Sequence, residues 1–186
     1  MADTSNFRNG FTMRLDSDLF TIVEFQHVKP GKGSAFVRTR LRNISTGAVL
    51  DRTFRSGDKV EEVRLEKRGM QFLYSEGDLF HFMDAETYEQ MAIGEDIVGD
   101  VAGFMLENQT VYVLVAEERP IGVELPNFVE IRVKHTEPGV RGDTATGAVK
   151  PAILATGAVV SVPLFVIQGD ILKIDTRTGA YVERVY

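Results

Sequence analysis

The chain of 186 residues contains no cysteine and no tryptophan. Without thiols it has no disulfides, no cysteine-ligated zinc and no thiol catalysis. Long apolar runs are also missing, and none approaches the ~20 residues a membrane span needs. The opening stretch, MADTSNFRNG, is polar and lacks an apolar leader core, so no signal peptide is expected. A cytoplasmic protein with no membrane association follows as the expectation. The three histidines, His27, His81 and His135, are scattered far from one another. There is no G-x-S-x-G and no H-E-x-x-H. No catalytic residue, metal ligand or cofactor is therefore assigned, and the chain reads as a non-enzyme.

Basic residues are nearly absent from one segment. Residues 71–126 hold Arg119 alone against 12 acidic residues, a net of −11. Residues 1–70 hold 13 Lys/Arg against 9 Asp/Glu, a net of +4, and residues 127–186 hold 7 against 6, a net of +1. A basic block beside an acidic one points to different partners for different parts of the chain.

What is present is period-2 alternation. LFTIVEFQHV (19–28) and AFVRTRLR (35–42) flank a short loop. AVLDRTF (48–54), SGD and KVEEVRLE (59–66) read as a second hairpin; MQFLYS, EGD and LFHFMD (70–84) read as a third. TVYVLVAE (110–117), FVEIRVKHT (128–136), AVVSVPLFV (158–166), ILKIDT (171–176) and AYVERVY (180–186) continue the pattern. Short strands with Gly-Asp turns predict small all-β barrels. One helix is expected at 85–93 with Asp84 as its N-cap, and residues 96–106 are expected to extend it, weakened by Gly99 and Gly103. Residues 77–90 and 169–184 echo each other, which tandem related barrels would explain. Three domains are expected, 1–64, 65–126 and 127–186. Each is small enough to be marginal alone, so some docking between them is expected. The glycine- and proline-rich stretch 137–151 reads as a long loop, of a kind that is usually functional or mobile.

The loop VKPGKGSAF (28–36) concentrates the chemistry. Pro30 sets one side of the turn, and Gly31 and Gly33 permit unusual dihedrals and close approach. Lys32 stands between them as a solvated cation. An exposed lysine is a poor base or nucleophile at neutral pH. It suits contact with a phosphate, modification by another enzyme, or nothing beyond a surface turn. G-K-G-S is not a phosphate loop, because the lysine precedes the second glycine and a strand follows. On the next strand Arg38, Arg40 and Arg42 share one face and Val37, Thr39 and Leu41 the other. Three arginines at ~6.5 Å spacing match a phosphate backbone or an ordinary solvent face. Lys29 adds to the basic character of this hairpin.

Taken together, FRNG, KPGKG, FVRTRLRN, HFMDAETYEQ, PNFVE, GDTATG and TGAVVSVPLFVIQGDILKIDTRTGAYVERV, in this order, resemble the bacterial elongation factor P family from end to end. The resemblance implies an SH3-like barrel followed by two OB-fold barrels in an L-shaped arrangement. It implies a translation elongation factor, binding the ribosome between the peptidyl and exit tRNA sites and relieving stalling at consecutive prolines. By the same resemblance, Lys32 is the modified tip residue that reaches peptidyl-tRNA, framed by Pro30, Gly31 and Gly33. Gly142, Asp143 and Thr144 approach the exit-site codon, and Tyr181 and Arg184 meet the small subunit. The implied partners are the ribosome, peptidyl-tRNA and a lysine-modifying enzyme, and a monomer is expected. The alternatives are the elongation factor P-like paralogue, against which the full KPGKG tip speaks, and a general OB-fold RNA-binding protein. The latter needs aromatics interleaved with basic residues, and the middle segment is too acidic for that.

Overall fold

The computed structural model describes residues 1–139 and 147–186. Strands dominate these residues. They are β1 (Ala2–Asp3), β2 (Thr12–Leu15), β3 (Asp18–Val28), β4 (Phe36–Asn43), β5 (Val49–Arg55), β6 (Lys59–Glu62), β7 (Leu65–Glu76) and β8 (Leu79–Asp84). There follow β9 (Gln90–Gly94), β10 (Thr110–Ala116), β11 (Arg119–Glu124), β12 (Phe128–Thr136), β13 (Val149–Leu154), β14 (Val159–Pro163), β15 (Ile171–Asp175) and β16 (Ala180–Val185). They form three sheets, in the orders β1-β6-β2-β3-β4-β5, β11-β10-β7-β8-β9 and β14-β13-β12-β15-β16. The all-β expectation with a short helix in the middle segment holds. In the third sheet the terminal strands β14 and β16 approach each other, so that sheet curls.

The chain divides into two compact units, one of residues 1–68 and 114–122, the other of residues 69–113 and 123–186. The cuts fall inside β7, β10 and β11.

The core of the first unit is built from Phe7, Phe11, Met13, Phe20, Ile22, Val37, Leu41, Phe54 and Val60. Phe7 meets Phe54 edge-on with ring centroids 5.3 Å apart, a geometry that favours aromatic pairs. In the second unit, Val129, Ile131, Leu154, Val162, Leu172 and Ile174 are among the residues that close the core of the third sheet. Phe104 and Leu106, from the segment after the helix, pack against that core. Part of the middle segment is thus docked on the last sheet.

Three expectations need correction. The helix is not at 85–93: it spans Glu95–Val98 and passes into a 3-10 turn over Gly99–Phe104. The Asp84 carboxylate does accept backbone N–H groups, from Glu86 at 2.8 Å and Thr87 at 3.0 Å. Tyr88 then turns left-handed at φ 61°, and the chain enters β9 directly. The cap chemistry is real, but it closes an Asx turn rather than starting a helix.

Ser56-Gly57-Asp58 does not join a hairpin either. β5 pairs with β4, whereas β6 pairs with β1 and β2, so the turn is a corner between non-neighbouring strands. Finally, the long-loop reading of 137–151 ends too late, since β13 begins at Val149. Lys150 is buried there, and its ammonium donates to the Glu137 carbonyl at 2.6 Å.

The internal echo is chemical. Asp84 and Asp175 each accept a backbone N–H from two residues ahead through the carboxylate, and one from four residues ahead through the carbonyl. Both sheets set one long strand between two hairpins. The echoed hairpin follows the central strand β7 at once, but after β12 it comes last.

Candidate functional site

β3 and β4 pair antiparallel until Val28 meets Phe36, leaving residues 29–35 as the connecting loop. Val37, Thr39, Leu41 and Asn43 are buried, and Arg38, Arg40 and Arg42 are exposed, so the alternation read from the sequence positions this hairpin. The loop ends two residues before buried Val37, and Lys29, Gly31, Lys32 and Gly33 are all exposed. Among the described residues, Lys32 has no hydrogen-bond or ion-pair partner.

The two glycines differ. Gly33 sits at φ +112°, where a side chain is strained, and a Cβ there would meet only Pro30 Cγ at 3.8 Å. Gly31 has ordinary φ, and a Cβ would meet nothing within 4 Å. Gly33 is needed to make the turn. Gly31 leaves space around Lys32 that the fold itself does not use.

The arginine face is not uniform. Arg40 donates from Nε to Asp51 at 3.2 Å and lies 3.7 Å from Glu24. The register explains this, because Arg40 stands opposite Glu24 on β3 and Asp51 on β5. Arg38 leans over the Phe36 ring at 5.5 Å. Arg38 and Arg42 therefore keep cationic charge that no carboxylate meets among the described residues, while Arg40 is paired with two carboxylates.

Tyr181 and Arg184 lie in the second unit. Tyr181 is half-buried against the core of the third sheet. Arg184 donates to the Tyr186 hydroxyl at 2.9 Å and to Asp170 at 3.4 Å, between the Phe165 ring at 5.3 Å and the Tyr186 ring at 4.8 Å. The Tyr186 hydroxyl first, and Asp170 after it, hold its guanidinium above the ordinary value. The Arg184 side chain is 27% exposed. Gly142, Asp143 and Thr144 lie outside the described residues. Sequence reasoning passed over Arg14, which bridges Glu61 and Glu117. A partner 103 residues away leaves no mark on local periodicity.

Among the described residues no group of three His, Cys, Asp or Glu side chains could hold a metal ion, and no helix is long and apolar enough to cross a membrane.

Three family models together cover nearly the whole chain. The elongation factor P KOW-like domain matches residues 3–60, the elongation factor P OB domain residues 65–123, and the elongation factor P C-terminal domain residues 129–184. Elongation factor P of Acetivibrio thermocellus is 55% identical over 185 residues, covering 100% of both chains. That of Moorella thermoacetica is 53% identical over 184 residues, covering 99% of this chain and 100% of its own. Among solved structures, an initiation factor 5A from Methanococcus jannaschii superposes with a TM-score of 0.51 at 24% identity, covering 66% of this chain and 92% of its own, a likeness of fold alone. With full-length relatives at more than half identity and matching models in the same order along the sequence, the chain belongs to the elongation factor P family.

Proposed function

We propose that this chain is the translation elongation factor that binds the ribosome between the peptidyl and exit tRNA sites, positions peptidyl-tRNA through Lys32 and stimulates peptide bond formation at consecutive prolines. Family membership supports the role in elongation and in relief of polyproline stalling. One observation carries the assignment to Lys32: an exposed, unpartnered cation on a glycine-framed loop at the end of a well-packed hairpin. Nothing at the loop abstracts a proton or attacks a carbonyl, so the factor orients and the ribosome performs the chemistry. Proline is a slow participant in peptide bond formation. Holding the reacting ends in a near-attack geometry is the effect that such a factor can supply, and effects of that kind are large.

The finer reading extends this. The first sheet closes as an SH3-like barrel and the other two as OB-type barrels, with domain limits near 64/65 and 126/127. Lys29, Arg38 and Arg42 approach RNA phosphates, with Arg40 a weaker contributor. Gly142, Asp143 and Thr144 approach the exit-site codon, and Tyr181 and Arg184 the small subunit. A lysine-modifying enzyme grips the open loop around Lys32, and the factor works as a monomer in the cytoplasm.

The test is a Pro-Pro-Pro reporter translated with and without the protein, together with the intact mass of Lys32 peptides from the native host. Stimulation that disappears in Lys32→Ala is the expected result. A Lys32→Ala protein that restores full synthesis overturns the assignment.

A further inference from the structure

Arg14 on β2 joins parts of the first unit that are distant in sequence. Its Nη2 donates to Glu117 Oε1 at 2.8 Å and its Nε to Glu61 Oε1 at 3.2 Å. Glu61 reaches it across the β2–β6 pairing, where the two residues are register partners. Glu117 arrives from the turn between β10 and β11. The Arg14 side chain is 28% exposed, and its guanidinium is held above its ordinary value by Glu117 first and Glu61 second.

That turn has an unusual sequence for its shape. Glu117 and Glu118 are its two central residues, with φ of 51° and 63°. Two left-handed residues in a two-residue hairpin loop describe the type I′ turn, which Asn-Gly and Asp-Gly normally occupy. Among the described residues, five non-glycine positions have positive φ, and this is the single place where two are adjacent. Two neighbouring carboxylates repel as well. The left-handed conformation is disfavoured by about 1 kcal/mol or more per ordinary residue, so the β10–β11 pairing and the contacts made by the turn must offset that cost. Arg14 makes one such contact, at Glu117.

We propose that Arg14 is a positioning residue, which pins the β10–β11 turn to the Lys32-bearing sheet through Glu117 and Glu61. The function of this clamp rests on the reading of Lys32 given above. A factor that delivers a side chain to a defined place gains if its first unit is ordered before binding, because ordering during binding weakens affinity. Arginine suits the task better than lysine, since its planar fork meets two carboxylates at once.

Hydrogen exchange of the full-length protein at the amides of 116–119 tests the clamp independently of translation. Arg14→Leu and Glu117→Gln are each expected to speed exchange there about two- to fivefold, and the double variant no further than either single one. Arg14→Lys should fall between parent and Arg14→Leu, and it serves as the probe if Arg14→Leu does not fold. In the Pro-Pro-Pro assay the concentration of Arg14 variant giving half-maximal stimulation should rise by a similar factor, with the saturating rate unchanged. Exchange that stays at the parent value, or effects that simply add in the double variant, overturn the clamp. Faster exchange with an unchanged half-maximal concentration overturns its use in function and leaves the reading of Lys32 intact.

Discussion

Arg40 and Asp51 face each other across β4 and β5, and the guanidinium Nε donates to the carboxylate at 3.2 Å. The three arginines of β4 are thereby unequal, although the sequence spaces them identically. An arginine that contacts an RNA phosphate releases counterions, and removing one such contact lowers the log–log salt slope by about 0.7–0.9. Arg38→Gln and Arg42→Gln should each approach that loss in ribosome pelleting measured across a salt series. Arg40→Gln should change the slope clearly less. Equal slopes in all three variants would show that the Asp51 and Glu24 pairing has no electrostatic consequence.

Lys32→Ala should leave folding almost untouched. The side chain has no partner among the described residues, and surface substitutions of that kind stay within about 0.5 kcal/mol. Thermal unfolding and the Pro-Pro-Pro reporter should therefore separate, with an unchanged melting temperature and lost stimulation. A large drop in melting temperature would assign Lys32 to the fold.

Gly31 and Gly33 should respond differently to alanine. Gly33→Ala places a Cβ at φ +112° and should cost about 1 kcal/mol or more, read as a lower urea midpoint. Gly31→Ala meets open space at an ordinary φ, so its midpoint should match or slightly exceed the parent. If Gly31→Ala nonetheless abolishes modification or stimulation, the space around Lys32 is used by a partner. Equal midpoints for the two variants would contradict the left-handed turn at Gly33.

Asp175 should contribute to acid sensitivity. Its carboxyl is held below the ordinary carboxylate value, first by the Arg177 guanidinium and then by the Arg177 backbone N–H, against the opposing effect of desolvation. A lowered folded-state pKa gives stability that is complete above the unfolded value of about 3.9 and fades as pH falls through the folded one. Asp175→Asn should remove that fraction of the acid loss. Urea midpoints at pH 5, 4 and 3 should fall less steeply in the variant, and parallel lines would reject the linkage.

The exposed acids Glu86, Glu89, Glu95 and Asp96 belong to the strongly negative segment. Complementarity of charge chiefly governs encounter and placement. Replacing all four with glutamine should slow association with the ribosome or move the cross-linked neighbours. If rate and neighbours both stay as in the parent, the acidity provides solubility alone.

Side-chain alternation in FVRTRLRN determined by itself which face of β4 is buried, because neighbouring residues of a strand must point to opposite sides. The GKG tip was legible for the same local reason, and KPGKG with the C-terminal stretch carried the family. Strand partners were not legible. SGD reads as a hairpin turn, yet β6 leaves β5 and pairs with β1 and β2, since alternation records burial and not the neighbour that provides it. Asp84 carried a helix signal that also fits an Asx turn, and β9 pairing with β8 decided between them. Arg14 and Arg40 show the same division. Their identity and charge are in the sequence, but Glu117 and Asp51 become their partners only when the chain brings distant carboxylates within hydrogen-bond reach, an outcome set by packing over the whole first unit.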